Sequence, residues 1–103
     1  MVNKIVNNDM QAALDEEMAL VDFSAVWCGP CKMTAPVIES LSEKFAGQVG
    51  FYNADVDDNM EIAVKYGIQN IPALALMKKG KIVSSRVGFQ PEAMLEQWIR
   101  DNM

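Results

Sequence analysis

Apolar residues recur along this chain in two rhythms, short unbroken runs and positions spaced by three or four. Residues 1–6 read as a short first strand. Over 9–17 the apolar positions Met10, Ala13 and Leu14 have helical spacing, and Asn8 with Gln11 three residues later marks a helix start. Residues 19–26 are almost continuously apolar, the pattern of a strand buried on both faces. After Trp27-Cys28-Gly29-Pro30-Cys31-Lys32, a helical stripe carries Met33, Val37, Ile38, Leu41 and Phe45 and closes at Gly47. Residues 49–56 predict another buried strand. Asp58 with Glu61 opens a short helix that runs to Tyr66 and ends at Gly67.

Beyond Ile71-Pro72, residues 73–77 and 81–87 predict two strands. Lys78-Lys79-Gly80 between them suits a hairpin turn with Gly at the left-handed position. Pro91 fits the first turn of a last helix, whose apolar face is Met94, Leu95, Trp98 and Ile99. The order β-α-β-α-β-α-β-β-α implies an α/β fold, a central sheet with helices on both faces. The terminal hairpin makes that sheet mixed, because strands joined by a tight turn run antiparallel. With 103 residues and no repeat, low-complexity tract or linker, residues 1–103 are expected to form one domain.

Composition narrows the chemistry. Nine Lys and Arg stand against 14 Asp and Glu, a net charge of -5, so neither nucleic acid nor an anionic membrane is expected as a partner. No apolar run is long enough to predict a transmembrane helix. Residues 1–9 lack a long apolar core and a small-residue cleavage site, so a cytoplasmic protein is expected. There is no histidine and there are two cysteines. Histidine acid–base catalysis and Cys–His nucleophilic pairs are therefore impossible within the chain, and two cysteines cannot make a four-ligand Cys/His zinc site. No metal and no cofactor are expected.

The two cysteines sit where a buried strand feeds a helix. Free N–H groups and the positive end of the helix dipole favour a thiolate at Cys28, and the thiolate is the nucleophile of thiol–disulfide exchange. Cys31, three residues on, is within reach to resolve a mixed disulfide intramolecularly. The competing reading is a structural disulfide. On the loop-entropy model, closing so short a loop stabilises by only about 2 kcal/mol, against about 3 for a 15-residue loop, and a staple works better between distant elements. Local placement favours reversible chemistry.

Neighbouring residues sharpen the picture. Trp27 either shields one side of the sulfurs or is a buried aromatic at a strand end. Pro30 restrains the turn and suits a first helical turn. Pro36 either kinks the helix or marks a later start. Asp22 interrupts the buried strand: it is either a solvated strand position or a buried carboxylate, raised in pKa and able to exchange a proton with Cys31. Composition and spacing leave the isomer of the Ile71-Pro72 bond open.

Taken together, Val21-Asp22-Phe23, Trp27-Cys28-Gly29-Pro30-Cys31-Lys32-Met33, Ala35-Pro36, Asp55-Val56-Asp57, Lys65-Tyr66-Gly67-Ile68, Ile71-Pro72 and Val87-Gly88 resemble the thioredoxin family along the whole chain. The resemblance implies a thioredoxin fold, a five-stranded mixed sheet flanked by four helices. It implies that Cys28 attacks a target disulfide, that Cys31 releases the product, and that Asp22 is the buried carboxylate beneath Cys31. Pro72 matches a cis-proline facing the cysteines, and the backbone at Ile71 would pair with an extended target segment. Trp27, Gly29, Pro30, Gly67, Ile71, Pro72, Val87 and Gly88 would make up the docking surface. The implied partners are disulfide-containing proteins and a thioredoxin reductase as electron donor, and the implied state is a monomer.

Three positions depart from the family pattern. Ser24 replaces an aromatic residue, usually Trp, which loosens packing behind the site. Ala73 replaces a Thr and removes one hydroxyl. Asn53 replaces a lysine near the aspartate, so the carboxylate becomes easier to protonate. Gly29-Pro30 is associated with the reducing members of the family. A general protein-disulfide reductase is the leading reading. A disulfide oxidant or isomerase and a non-redox binding subunit are the alternatives.

Overall fold

The computed structural model describes residues 1–103. Its elements are β1 (Val2–Ile5), α1 (Gln11–Leu14), β2 (Met18–Ser24), α2 (Gly29–Lys44), β3 (Gly50–Asp55), α3 (Met60–Lys65), β4 (Ala73–Lys78), β5 (Lys81–Val87) and α4 (Glu92–Asp101). The sheet has the spatial order β1-β3-β2-β4-β5. β1 and β2 pair in parallel with β3, and β4 pairs antiparallel with both β2 and β5. The architecture is the expected five-stranded mixed sheet with four helices.

β2 lies at the centre, and Ala19, Leu20 and Val21 are fully buried, which explains why its sequence shows no polar alternation before Asp22. Residues of opposite parity feed two cores. Ala19, Val21 and Phe23 join Tyr52, Ala75 and Met77 beneath α1 and α3, where Ala13 and Ile62 close the layer. Leu20 joins Phe51, Leu74 and Leu76 beneath α2 and α4, which contribute Ile38, Leu41, Leu95, Trp98 and Ile99. β5 is an exposed edge, tied to α4 by Trp98 Nε1 donating to Ser84 Oγ at 2.9 Å.

Several local expectations shift. The first helix is one turn over Gln11–Leu14 rather than 9–17, and Met10, not Asn8, takes its N-cap position. Asn7 and Asn8 both have φ near +55°, a conformation that asparagine tolerates, so the chain turns there instead of entering a helix. The Asn8 side chain acts elsewhere: its Oδ1 accepts from Ile62 N at 3.1 Å and caps α3 from 54 residues away. No capping box of Asp58 and Glu61 forms, and Asn59 occupies the N-cap position of α3 without a side-chain cap bond. Val26 lies outside β2 and is exposed, as are Met33 and Met94, which the helical stripes had assigned to the core. On α2 the buried polar Thr34 takes the inward position beside Cys31 and Ile38. Pro91 stands at the N-cap of α4, one residue before the first turn. The hairpin turn has positive φ at both Lys79 and Gly80.

Candidate active site

The β2–α2 junction sets the site. β2 ends at Ser24 and α2 begins at Gly29, so Cys28 is the N-cap residue, in extended conformation, with Pro30 in the first turn. Proline belongs there because its missing N–H would have no partner in the first turn. Helix α2 runs through Pro36, which excludes a later start. The absent Pro36 N–H leaves the Lys32 carbonyl without its usual helical donor.

Cys28 and Cys31 are joined as a disulfide, with Cα atoms 5.3 Å apart. Both are buried. Cys31 N donates to Cys28 Sγ at 3.2 Å, so a free N–H of the first helical turn points at the sulfur where a thiolate would form. The carbonyl oxygen of Ile71 is 3.9 Å from Cys28 Sγ. The Ile71-Pro72 peptide is cis. Pro72 is buried, Gly88 N donates to its carbonyl oxygen at 2.8 Å, and Val87 pairs with Ala73. Residues 71–72 and 87–88, far apart in sequence, therefore meet beside Cys28. Gly67 (φ +67°) ends α3 and faces Val87 across a groove of about 230 Å³. Trp27 is 67% exposed, which excludes the buried strand-end aromatic, and its Nε1 donates to Asp57 Oδ2 at 2.8 Å. Asp57 was not anticipated as its partner. Gly29 and Pro30 are exposed on the first turn of α2.

Asp22 is buried, 3% exposed. Burial pushes its carboxyl up from 3.8 to about 6, against a smaller opposing pull from the Asn53 hydrogen bond and from the Lys4 charge. It shares a cavity of about 310 Å³ with Cys31, which lies on the opposite wall formed by α2. Ser24 and Asn53 line the same cavity. The cation lost at position 53 is partly replaced: Lys4 on β1 lies in register with Asn53, which lies in register with Asp22. Sequence reading identified Ser24 and Asn53 only as departures from a pattern and missed Lys4. The parity of polar residues in β3, where Asn53 and Asp55 follow Phe51 on one face, was the signal available.

A disulfide between the N-cap and the third residue of a helix, reached by a backbone amide and lying over a buried carboxylate, defines a thiol–disulfide exchange site. Comparison with known proteins agrees. The sequence model of the thioredoxin family matches residues 1–101. Thioredoxin from Bacillus subtilis is 39% identical over 100 residues, covering 97% of this chain and 96% of that protein. Thioredoxins from Staphylococcus epidermidis and Staphylococcus aureus are each 42% identical over 94 residues, covering 91% of this chain and 90% of theirs. The chain belongs to the thioredoxin family. It is a thiol–disulfide oxidoreductase with Cys28 and Cys31 as its redox pair.

Proposed function

We propose that the protein, acting as one domain and as a monomer, reduces disulfides of target proteins in the cytoplasm and is itself re-reduced by a thioredoxin reductase. In the reduced form the Cys28 thiolate attacks one sulfur of a target disulfide. A mixed disulfide forms and the first target thiolate leaves. Cys31 then attacks Cys28 Sγ, the intramolecular disulfide forms, and the second target thiolate leaves. Asp22 takes the Cys31 thiol proton as that sulfur attacks and can return one to the departing thiolate. Two electrons from the reductase reopen the disulfide.

The observation that carries this reading is the hydrogen bond from Cys31 N to Cys28 Sγ, which supports Cys28 as the sulfur that holds negative charge. The open carbonyl of Ile71 beside Cys28, with exposed Trp27 and Val87 and with Gly29, Pro30, Gly67, Pro72 and Gly88 nearby in the fold, supports docking of an extended target segment by strand addition. A reducing compartment is where such a dithiol is kept ready for use, which supports the cytoplasm. Cys31→Ser should accumulate a covalent complex with an oxidised target that reductant releases. Cys28→Ser should form none and lose turnover. Turnover surviving in Cys28→Ser would refute the assignment.

A further inference from the structure

On the α2 side of the sheet, three neighbouring strands turn polar together toward the active-site end. β1 runs from Val2 to Lys4, β2 from Leu20 to Asp22 and Ser24, and β3 from Phe51 to Asn53 and Asp55. Pairing brings Lys4, Asn53 and Asp22 into one row across the sheet. Within it the Asn53 amide has two hydrogens to give. It donates to Ser24 Oγ at 2.8 Å, and on its other side to the Asp22 main-chain oxygen at 3.2 Å and to Asp22 Oδ2 at 3.3 Å. Asp22 Oδ1 is buried and has no hydrogen-bond partner. An N–H already aimed at Oδ2 opposes a second hydrogen on that oxygen, so a proton bound by Asp22 belongs on Oδ1.

We propose that Asn53, held in place by Ser24, is a positioning residue that fixes the Asp22 carboxyl and reserves Oδ1 as the atom that exchanges a proton with Cys31. This rests on the reading of Asp22 as proton acceptor given above. As Cys31 Sγ bonds to Cys28 Sγ, the bond from Cys28 to the target sulfur breaks with its electron pair leaving on the target, and the Cys31 proton moves to Oδ1. Lys4 from β1, Asp55 from β3, and Lys32 and Glu39 from α2 also face this cavity. β4 presents uncharged Leu74 beside Asp22, and Arg86 on β5 lies one strand further along the row. Lys4 is the one charge among these that acts appreciably on Asp22, and every substitution below leaves it in place. Asn53 stabilises the ionised carboxyl, so its loss raises the pH at which Asp22 becomes a base.

The test is stopped-flow reaction of the reduced protein with 5,5′-dithiobis(2-nitrobenzoate) across pH 5 to 8. The first chromophore released reports attack by Cys28, and the second reports its displacement by Cys31. For Asn53→Ala, the pH midpoint of the second step is expected to rise by about half to one pH unit, slowing that step by about 1.5-fold to threefold near pH 6.5. Asn53→Lys adds a cation beside the carboxylate and should move the midpoint down. Ser24→Ala frees the amide and should move it up by less, a second reading should Asn53→Ala fold poorly. In the Asp22→Asn background, Asn53→Ala should add nothing. If Asp22→Asn leaves the second step unchanged, the proton-acceptor reading itself fails. If Asp22→Asn slows that step but the position-53 and position-24 variants keep the parent midpoint, or slow it equally at every pH, the positioning role is overturned.

Discussion

Asp22→Asn should stabilise the folded protein at neutral pH, because the carboxylate the site retains is one the fold would be better without. The ionised group lies 3% exposed with one oxygen lacking a donor. Its folded pKa of about 6 against an ordinary 3.8 means that the folded state binds more protons between those values. Stability is therefore fully present below about pH 4 and is lost as pH rises through 6. A difference of about 2 pH units corresponds to roughly 3 kcal/mol at pH 7. Asparagine keeps the shape, and its side-chain oxygen can accept from Asn53, so most of that cost should be removed. For a domain of this length the gain is a rise in Tm of roughly 10 °C. Urea unfolding of the oxidised protein and of Asp22→Asn, in which the cysteines do not titrate, gives the comparison directly. The gap should shrink to about half a kcal/mol at pH 4, where Asp22 is protonated in the native state and roughly two-fifths protonated in the unfolded one. No gain at pH 7 would refute the burial argument. A gain equally large at pH 4 would assign the effect to packing instead.

The midpoint potential of the Cys28/Cys31 couple should fall near about -270 mV, the value characteristic of thioredoxins, when read by equilibration with a thiol–disulfide buffer. A value near about -180 mV would contradict the reducing direction, since that gap is about 4 kcal/mol, or three powers of ten in equilibrium constant. Asn59→Ala should destabilise by about 2–3 kcal/mol, seen as a lower urea midpoint at unchanged slope. Asn59 is fully buried, donates to the carbonyls of Ile5 and Asp55 at 3.0 Å each, and accepts from Asn8 N at 2.9 Å, so alanine takes a partner from three main-chain groups, of which the Asp55 carbonyl keeps Asp58 N. An unchanged midpoint would mean that water or a local shift satisfies them.

The order of elements and the redox pair could be read from the chain because both are local properties. A strand buried on both faces needs an apolar run, and a helix starting at Gly29 needs only the turn chemistry of residues 28–30. The same locality misled where the surroundings set the outcome. Met33 and Met94 fit helical stripes, yet both are exposed, while Ile38 and Leu41 of α2 and Leu95 and Ile99 of α4 are the stripe positions that the rest of the fold covers. Asn8 has the chemistry of an N-cap and performs that task for α3 rather than α1, since the residue it serves arrives only with the tertiary fold.

For the site, sequence by itself determined that a dithiol sits at a strand-to-helix junction and that neither a histidine nor a four-ligand Cys/His zinc set is available to compete with it. Asp22 stood undecided between a solvated and a buried position. Only the tertiary structure decided it, because burial depends on what the neighbouring strands and α2 lay over the carboxyl. It also decided that Lys4, Ser24 and Asn53, scattered over 50 residues, surround that carboxyl, and that Ile71-Pro72 and Val87-Gly88 meet beside Cys28. Hydrogen bonding between strands sets these neighbours through register, and register joins residues whose spacing along the chain carries no trace of the contact.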